Sequence, residues 1–567
     1  MKQDLDKLRH SASHVLAQAV LELFPKVKLA IGPAIENGFY YDFDKKDGFT
    51  PEDLKNIEKK SKEIIKKNLK IKKSIKTKAE AKKLLKDQPY KLELLEELKG
   101  KITFYQQGDF LDLCLGPHLK ETGEIKAIKI LSTAGAYWRG DSKKKMLQRI
   151  YGTAFYDKKD LKKYLTLLEE AKKRDHKKLG EQLNLFSFHE EGPGFPFFHP
   201  KGTILYNNLT EFWKKIHKEW NYQEIKTPII LNKELWLNSG HWDNYKENMY
   251  FTKIDNKEFA VKPMNCPGGI LIYKSRLHSY KEFPLRIGEL GLVHRHELSG
   301  VLNGLFRVRS FIQDDAHIYT TEEQLENEII GVIKLSEEIY NTFNLDFELE
   351  LSTRPEKSIG TKKMWDTAEL SLKKALKKLK LKYIINEGDG AFYGPKIDFH
   401  IKDSLGRKWQ CGTIQVDFSM PEKFNLEYDG KDGKKHRPVM IHRAILGSLE
   451  RFLGILIEHY AGKFPLWLSP VQIKILTVTD RSEKFAKELK EKLENSNLRV
   501  ELDSRSESIS KKVRDAQKEQ INYQITIGDK EIKSKKLAIR TRTGKVSFNV
   551  STDKFIKDLQ KEIETKK

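Results

Sequence analysis

The sequence predicts a multidomain α+β and α/β protein, with an α+β domain at the N-terminus, a central domain built on a large antiparallel sheet and an α/β domain at the C-terminus. Three observations lead to this prediction. The chain has 567 residues, more than one hydrophobic core can organise. Apolar residues make up 38% and charged residues 33% of it, a balance typical of globular proteins. The order of strand-like and helix-like patterns also changes along the chain, which indicates the domain boundaries.

The first predicted domain covers residues 1–156. Its strand-like runs, LAIGPAIENGFYYDF and RIYGTAFYD, alternate with lysine-rich runs of helical periodicity, and this mixture is typical of an α+β domain. Residues 157–185 follow as a polar helix with sparse leucines. Helices of this kind often bridge domains, so we interpret the segment as a linker helix.

The central domain, residues 186–467, is the part of the chain richest in aromatic residues, glycine and proline, and it contains many short strand-like runs. That composition favours a large antiparallel sheet that carries a site. In residues 468–567 the pattern changes to strands that alternate with helices. Such alternation predicts a compact α/β module with a largely parallel sheet.

The net charge of +24 indicates a polyanionic partner, because lysine and arginine gain affinity from phosphates by releasing condensed counterions. Most of the excess is lysine, however, and runs such as residues 55–86 are also typical of solvated helix faces. Charge alone therefore leaves nucleic-acid binding and a merely lysine-rich surface equally open.

The chain shows no long uncharged apolar stretch and no N-terminal signal pattern, so we expect neither a membrane span nor secretion. Its three cysteines, Cys114, Cys266 and Cys411, are too few to form a disulfide framework for a chain of this size. We therefore expect a cytoplasmic protein whose cysteines are metal ligands, catalytic groups or core residues.

Two sets of arginines are candidates for phosphate binding. Arg295 and Arg307 flank a glycine-containing loop between two strand-like runs, and a hairpin there would turn both guanidinium groups towards one phosphate chain. In the segment HRAILGSLERF, Gly447 and Arg451 are four residues apart, which predicts one helical face. No glycine-rich phosphate loop is present, so arginine side chains would have to hold a nucleotide.

A thiol and two imidazoles form a candidate metal site in the central domain. Cys266, His317 and His442 would suit Zn²⁺ and leave a fourth position open for substrate. Their wide separation excludes a zinc finger, and three unrelated core residues remain the alternative.

A second cluster is predicted in the first domain. His10 and His14 are four residues apart in RHSASHVLAQAV, and Cys114 and His118 are four apart in DLCLGPHL. Three histidines and one cysteine could form a second zinc site, or a hydrolytic site in which an imidazole is the general base. Two surface histidines on a helix are the simpler alternative for the first pair.

Motifs along nearly the whole chain resemble those of the bacterial threonyl-tRNA synthetases, a family of class II aminoacyl-tRNA synthetases. They include RHSASHVLAQAV, IGPAIENGFYYDF, AYWRGDS, NSGHWDNY, KPMNCPGG, RVRSFIQDDAHIY, FYGPKIDF, WQCGTIQVDF and VMIHRAILGSLERF. The resemblance implies an editing domain that hydrolyses seryl-tRNA, a class II catalytic domain and an anticodon-binding domain, in that order. The reaction it implies joins threonine to tRNA(Thr) with ATP.

The resemblance also assigns roles to residues of this sequence. It implies catalytic roles for Arg295, Lys396 and Arg451, and zinc binding by Cys266, His317 and His442. The implied ATP-binding residues are Arg295, Glu297, Arg307, Gln410 and Arg451. The implied substrate-binding residues are Met264, Asp315, Tyr393, Gln415 and Ser448. The implied editing residues are His10, His14, Lys91, Asp112, Cys114 and His118, and the implied anticodon-reading residues are Glu531 and Arg540.

By the same resemblance, Pro228 in YQEIKTPII matches the motif through which class II enzymes dimerise, so we expect a homodimer. The implied cofactors are one Zn²⁺ per subunit, in the catalytic domain, and Mg²⁺ with ATP. Family members often begin with a further small domain, whereas this sequence starts at the editing domain, and we expect both sites to be complete without it. Leu115 also departs from the polar or basic residue expected beside Gly116 and Pro117.

Three other functions are compatible with parts of the sequence. A prolyl or seryl class II synthetase would lack the zinc trio combined with the editing pairs. A non-catalytic RNA-binding paralogue would not need Arg295 and Arg451, both of which are present. A hydrolase that uses only the first domain would leave the rest of the chain without a role.

Overall fold

The computed structural model describes residues 4–141 and 143–566. Contacts divide the chain into two units, residues 1–169 and residues 170–567. None of the helices among the described residues has the length and apolar character needed to cross a membrane.

The first unit contains two antiparallel sheets and the helices packed on them. Its α-helices are α1 (Leu5–Leu23), α2 (Pro51–Lys66), α3 (Lys78–Leu84), α4 (Pro89–Glu97) and α5 (Lys158–Lys173), the last of which crosses the unit boundary. Its strands are β1 (Lys28–Leu29), β2 (Ala34–Ile35), β3 (Gly38–Asp44), β4 (Ile71–Lys76), β5 (Ile102–Gln107), β6 (Phe110–Leu113), β7 (Ala127–Tyr137) and β8 (Met146–Phe155). The larger sheet has the order β1-β3-β8-β7 with β2 beside β3, and the smaller has the order β4-β5-β6.

Helix α1 begins at Asp4, whose side chain caps the backbone N–H of Lys7, and this cap satisfies a donor that the first turn leaves free. Its buried residues include Leu8, Val15 and Leu16, which join the core formed with β3 and β8. The α+β prediction for this part of the chain is therefore confirmed, and α1 is anchored in the core by its apolar residues.

The second unit begins with the central domain. Its α-helices are α6 (His176–Gln182), α7 (Pro200–Glu219), α8 (Lys233–Ser239), α9 (His241–Tyr245), α10 (Cys266–Lys274), α11 (Leu325–Thr342), α12 (Lys362–Lys378), α13 (Ser419–Lys423) and α14 (Leu449–His459). Its strands are β9 (Phe186–Ser187), β10 (Phe197–Phe198), β11 (Gln223–Glu224), β12 (Ile230–Asn232), β13 (Tyr250–Ile254), β14 (Lys257–Val261), β15 (Leu285–His294), β16 (Ser310–Thr320), β17 (Asp346–Ser352), β18 (Tyr383–Asn386), β19 (Lys396–Lys402), β20 (Lys408–Asp417), β21 (Tyr428–Asp429), β22 (Lys435–His436) and β23 (Val439–Ser448).

Eight of these strands form one sheet, in the order β11-β15-β16-β23-β20-β19-β17-β18. All neighbours are antiparallel except the two outermost pairs, so the prediction of a large antiparallel sheet is confirmed. The predicted hairpin is also present, because β15 pairs with β16 and His294 lies opposite Ser310. Helices α11 and α14 pack on this sheet and contribute to its core.

The C-terminal part of the second unit is a smaller α/β domain. It contains β24 (Ile473–Thr477), α15 (Glu483–Glu494), β25 (Val500–Asp503), α16 (Ile509–Lys518), β26 (Tyr523–Ile527), α17 (Asp529–Ser534), β27 (Leu537–Thr541), β28 (Val546–Val550) and α18 (Thr552–Thr565). The sheet order is β25-β24-β26-β27-β28. Only the first three strands are parallel, so the sheet is mixed where the sequence predicts a largely parallel one. Strands β27 and β28 form a hairpin around Gly544, and a hairpin is antiparallel by construction.

Two local predictions are wrong. The single helix predicted over residues 157–185 is two helices, α5 and α6, because the chain breaks at Asp175, whose carboxylate caps the N–H groups of Lys177 and Lys178. Gly447 does not share a helical face with Arg451, because it lies at the end of β23 with φ of 77°. A side chain there would also stand 2.9 Å from the Cys411 carbonyl oxygen, so the strand ends in a turn that requires glycine.

Candidate functional site

The second unit contains a cavity of about 510 Å³. Its walls are formed by β16, β20, β23 and the loop between β15 and β16. The predicted site residues that line it are Met264, Cys266, Arg295, Glu297, Arg307, Asp315, His317, Tyr393, Gln410, Gln415, His442, Ser448 and Arg451. Lys396 does not line the cavity, and its ammonium group pairs with Asp398 at 2.8 Å and with Asp389 at 3.4 Å.

Cys266, His317 and His442 come together at this cavity although they are far apart in sequence. His317 on β16 lies directly opposite His442 on β23, and Cys266 is the first residue of α10. One potential ligand atom from each residue lies within 4.8 Å of the others, and all three residues are buried. The pairing of two neighbouring strands thus brings two of the three residues together, and the N-terminus of one helix adds the third.

The donor set of this cluster fits a zinc ion. Nε2 of His317 is buried and has no hydrogen-bond partner among residues 4–141 and 143–566, so this nitrogen is free to bind a metal. Nε2 of His442 lies 2.9 Å from the Asp417 carboxylate. This contact orients the ring and leaves the lone pair of Nδ1 free to bind a metal. Burial raises the pKa of the Cys266 thiol and lowers that of His317, so metal binding would displace a proton from the thiol and would find the His317 ring already neutral.

Four arginines line the cavity. Arg443 donates to the Asp314 carbonyl oxygen at 3.2 Å, and the other three are the arginines predicted to bind phosphate. The Arg295 guanidinium lies over the Phe311 ring at 5.1 Å, and its Nε donates to the Pro263 carbonyl at 3.2 Å. Arg307 pairs with Glu297 at 2.9 Å. Arg451 lies in the first turn of α14, where its backbone N–H is capped by the Ser448 hydroxyl at 3.0 Å. Guanidinium groups grouped in this way can bind several oxygens of one polyphosphate.

A buried carboxylate that the sequence analysis did not single out fixes the turn before Arg451. Gln313 lies opposite Ser448 and Asp315 opposite Ala444, so Asp314 alone faces the three residues between Ala444 and Ser448. Its carboxylate accepts their N–H groups at 2.8–3.1 Å. Desolvation raises the pKa of Asp314 to about 6. The two adjacent acids in the strand SFIQDDAHIYT were the only sequence signal for this role.

Near Cys266, His317 and His442, the cavity is lined by polar side chains that could contact a small amino acid. Asp315 accepts a hydrogen bond from the Asn265 amide at 3.3 Å, and desolvation raises its pKa to about 6. The Tyr393 hydroxyl donates to Gln415 at 2.5 Å. A carboxylate here can hold an ammonium group, and the tyrosine and glutamine restrict the space beside it.

The first unit brings the predicted N-terminal cluster together. His10 and His14 lie on one face of α1, and Cys114 and His118 follow β6. The Cys114 sulfur is 3.2 Å from Nε2 of His10 and 3.3 Å from Nε2 of His118. Ligand atoms of all four residues lie within 4.8 Å of one another. His14 is buried, which contradicts the alternative of two surface histidines.

Lys91 and Asp112 lie next to this cluster, on the side of His14. The Lys91 ammonium pairs with Asp112 at 2.7 Å, and the same carboxylate lies 3.7 Å from Nε2 of His14. The Tyr41 hydroxyl, which the sequence analysis missed, donates to Asp112 at 2.6 Å. Lys91 and Asp112 are therefore in a position to orient His14. Leu115, which stands where a polar or basic residue was expected, is 70% exposed.

Burial sets the protonation states in the cluster. Desolvation lowers the pKa values of His10, His14 and His118, so these imidazoles are neutral near pH 7. Desolvation also raises the pKa of the Cys114 thiol to about 11. Neutral imidazoles can accept a hydrogen bond from water and orient it, although the lowered pKa makes them weaker bases than an exposed imidazole, and a protonated thiol is a poor nucleophile. The cluster is thus suited to imidazole-assisted hydrolysis, and its donor atoms would equally suit a metal.

The two residues predicted to read an anticodon both lie in the C-terminal domain. Glu531 is in α17, where its carboxylate accepts the N–H of Gly528 at 2.9 Å. Arg540 is on β27 and donates to the Gly544 carbonyl at 3.2 Å. Both side chains are partly exposed and could contact RNA.

Three known domain families match the chain in the order of these sites. The threonyl and alanyl tRNA synthetase second additional domain matches residues 102–151, the tRNA synthetase class II core domain (G, H, P, S and T) matches 250–460 and an anticodon binding domain matches 470–562. Threonine–tRNA ligase of Clostridium tetani is 60% identical over 563 residues, which cover 99% of this chain and 88% of the relative. The chain belongs to the threonine–tRNA ligase family. The threonine–tRNA ligase of Clostridium novyi is 59% identical over 566 residues, which cover 99% of this chain and 89% of that ligase.

A solved structure agrees with this assignment. The crystal structure of the RNA binding domain of threonyl-tRNA synthetase from Cryptosporidium parvum Iowa II is similar to this ligase-family chain with a TM-score of 0.66 and 42% identity. The match covers 69% of this chain and 98% of the other. The predicted fold class is therefore confirmed, as is the predicted family.

Proposed function

We propose that this protein activates threonine with ATP, transfers it to the 3′ end of tRNA(Thr), and hydrolyses seryl-tRNA(Thr) formed in error. The observation that carries the proposal is the convergence of Cys266, His317 and His442 with the three predicted phosphate-binding arginines in one cavity, in a chain of the threonine–tRNA ligase family. The arginines offer a place for a polyphosphate, and the buried cluster offers a place for the amino acid.

Activation in this cavity depends on position and charge. The threonine carboxylate attacks the α-phosphorus of ATP in line, which forms the adenylate and releases pyrophosphate. Arg295, Arg307 and Arg451 stabilise the negative charge that develops on the phosphate oxygens, and Mg²⁺ accompanies the ATP. We assign Glu297 and Gln410 to the nucleotide as well. Lys396 lies outside the cavity wall, so its catalytic role stays a prediction.

The cluster would give selectivity for a hydroxyl group. We propose that Cys266, His317 and His442 hold one Zn²⁺ per subunit, which when bound supplies a Lewis-acidic position for the amino and hydroxyl groups of threonine together. Valine has no hydroxyl, and a site that binds a hydroxyl rejects analogues that lack one strongly. Met264, Asp315, Tyr393, Gln415 and Ser448 line the same cavity, and we assign them to substrate binding.

Serine has both the amino group and the hydroxyl and lacks only one methyl group, which is worth about 1–3 kcal/mol. Selection at the first site is therefore too weak, and a second, hydrolytic site is required. We assign that task to the cluster of His10, His14, Cys114 and His118, supported from behind by Lys91 and Asp112. An imidazole positions or deprotonates a water molecule against the seryl ester, and the neutral state of these rings supports that role.

The pH dependence of deacylation tests this protonation state. Because burial lowers the pKa values of His10, His14 and His118 below 6.5, the rings stay neutral until the pH falls through those lowered values. The rate of seryl-tRNA hydrolysis should therefore stay constant as the pH falls from 8 to 6.5. A rate that halves near pH 6.5 would show that a histidine of ordinary pKa is required.

A direct test of the overall proposal is ATP–pyrophosphate exchange over a panel of threonine, serine, valine and proline, with and without a zinc chelator. We expect exchange with threonine, weaker exchange with serine, and none with valine or proline. Exchange that depends on proline would support a different class II synthetase and overturn the proposal. Binding of tRNA without any exchange would support a non-catalytic RNA-binding protein.

Arg540→Ala should separate tRNA recognition from amino-acid activation. Because Arg540 is on the C-terminal domain and outside the cavity, the variant should charge tRNA(Thr) less efficiently, by about tenfold for one lost charge-assisted contact, and form the adenylate at the normal rate. Charging assays and exchange assays on the same preparation measure the two effects. An equal loss in both would contradict the anticodon role of Arg540 and, by extension, of Glu531.

We further propose the division of the chain into an editing domain (residues 1–156), a linker (157–185), a catalytic domain (186–467) and an anticodon-binding domain (468–567). We also propose that the protein is a cytoplasmic homodimer. Support for the dimer comes from the segment around Pro228, where Ile229 and Ile230 are exposed to solvent although they are large and apolar. Sedimentation analysis at several concentrations tests it.

A further inference from the structure

His176, which lies outside the matched class II core, contacts the loop that carries Arg307. It is the first residue of α6 and is 1% exposed. Its Nε2 accepts the backbone N–H of Leu305 at 3.0 Å. Leu305 lies in the loop between β15 and β16, two residues before Arg307. A helix that precedes the catalytic sheet in the chain thus supports the loop that we assign to ATP.

The contact with this loop is close and specific. Gly304 has φ of 50°, and a side chain there would stand 2.2 Å from Nε2 of His176. The Phe306 ring lies 4.0 Å from the imidazole and 4.4 Å from the Trp409 ring. Lys177, the next residue of α6, donates to the Asn303 side chain at 3.3 Å. The tip of the loop is therefore shaped to the helix.

The other side of the imidazole is anchored in the core. Nδ1 of His176 lies 2.7 Å from the Glu458 carboxylate, which also accepts the backbone N–H of His176 at 2.9 Å. Arg407 pairs with Glu458 and with Asp403, each at 2.6 Å. Because Nε2 accepts a hydrogen bond from Leu305, the ring proton must be on Nδ1 and point to Glu458. His176 therefore joins an anchored carboxylate to the backbone of the loop.

We propose that His176 is a positioning residue for ATP binding, because it fixes the tip of the loop that presents Arg307 to the cavity. The inference rests on the proposed function, which assigns Arg307 to the nucleotide. His176 itself does not line the cavity, so it acts through the loop. Without the acceptor at Nε2, the buried N–H of Leu305 has no partner, and the loop shifts to find one.

Two substitutions separate the two hydrogen bonds of the ring. In His176→Asn the amide NH₂ lies near the position of Nδ1, so the bond to Glu458 is kept and the acceptor for Leu305 is lost. In His176→Gln the longer side chain can bring its oxygen to the position of Nε2, so the acceptor for Leu305 is kept. We expect His176→Asn to weaken ATP binding about tenfold, the loss expected for one hydrogen bond to a loop. His176→Gln should stay close to the wild-type value.

ATP affinity is measured by calorimetry, and KM values for ATP and threonine by exchange. His278→Asn is the matched control, because His278 is a buried histidine of the same unit whose partners are Tyr273 and Glu282. We expect the KM for ATP to rise only in His176→Asn and the KM for threonine to stay constant in all variants. Equal ATP affinity in the wild type and His176→Asn, or equal losses in the Asn and Gln variants, would overturn the positioning role.

Hydrogen exchange of the wild-type protein gives a result that does not depend on the folding of a variant. The amide of Leu305 should be protected in the absence of ATP, and rapid exchange there would overturn the inference. Failure of the proposed function is distinguishable, because it appears as absent threonine-dependent exchange in the wild type. ATP affinity that still differs between the Asn and Gln variants would keep the positioning role in that case.

Discussion

Cys266→Ser should abolish threonine-dependent ATP–pyrophosphate exchange. Cys266 is 5% exposed, and its thiol faces two imidazoles whose ligand atoms lie within 4.8 Å. A serine hydroxyl occupies nearly the same volume but is not deprotonated at neutral pH and is a poor ligand for zinc, which prefers thiolate and imidazole. The variant should keep its fold, lose the metal and lose the site for the amino group and hydroxyl of threonine.

Metal analysis and exchange on the same preparation measure this effect. The wild type should contain one zinc per chain, and Cys266→Ser should contain none. Cys114→Ser is the matched control, because it makes the same change in the other unit and should keep both the metal and the exchange activity. Threonine activation by protein without stoichiometric zinc would rule out the proposed basis of selectivity.

Sequence patterns predicted the elements of this site better than their arrangement. The hairpin of β15 and β16 could be predicted because two apolar strands flank a glycine-containing loop. The approach of His317 to His442 could not, since it depends on the register between β16 and β23, which periodicity does not specify. Only the resemblance to a family supplied this pairing in advance.

Two of the residues that the sequence analysis missed act through backbone groups. Asp314 accepts three N–H groups at an irregularity in the sheet, and His176 accepts one from a loop. Such contacts require only one carboxylate or one imidazole, so they leave no motif in the sequence. The roles of Asp314 and His176 could be inferred only from their burial and their hydrogen-bond partners in the structure.

The prediction of a single helix over residues 157–185 failed for a similar reason. Leucines at helical spacing continue through residues 157–185, so periodicity indicates a single helix. Asp175 nevertheless starts a second helix, because its carboxylate caps two N–H groups there. Asp175 could have been recognised as a helix start, but within a charged segment the signal is weak.

The double variant His10→Ala and His14→Ala should leave threonine activation intact and allow seryl-tRNA(Thr) to accumulate. Both side chains belong to the first unit, whereas the cavity that we assign to activation belongs to the second. Removal of a positioned proton acceptor typically costs about 10²–10⁴-fold in rate, so deacylation of seryl-tRNA(Thr) should fall by at least about a hundredfold.

Deacylation of isolated seryl-tRNA(Thr) and exchange over threonine measure the two activities separately. His436→Ala is a suitable control, because His436 is an exposed histidine outside both clusters.

Zinc content distinguishes the two kinds of chemistry that the cluster of His10, His14, Cys114 and His118 could support. If imidazoles alone assist the water, the double variant keeps one zinc per chain, because the remaining metal is held by Cys266, His317 and His442. If the wild type contains two zinc ions and the double variant one, the hydrolytic site is a metal site. Normal deacylation in the double variant would contradict both, since either mechanism needs the side chains that α1 presents.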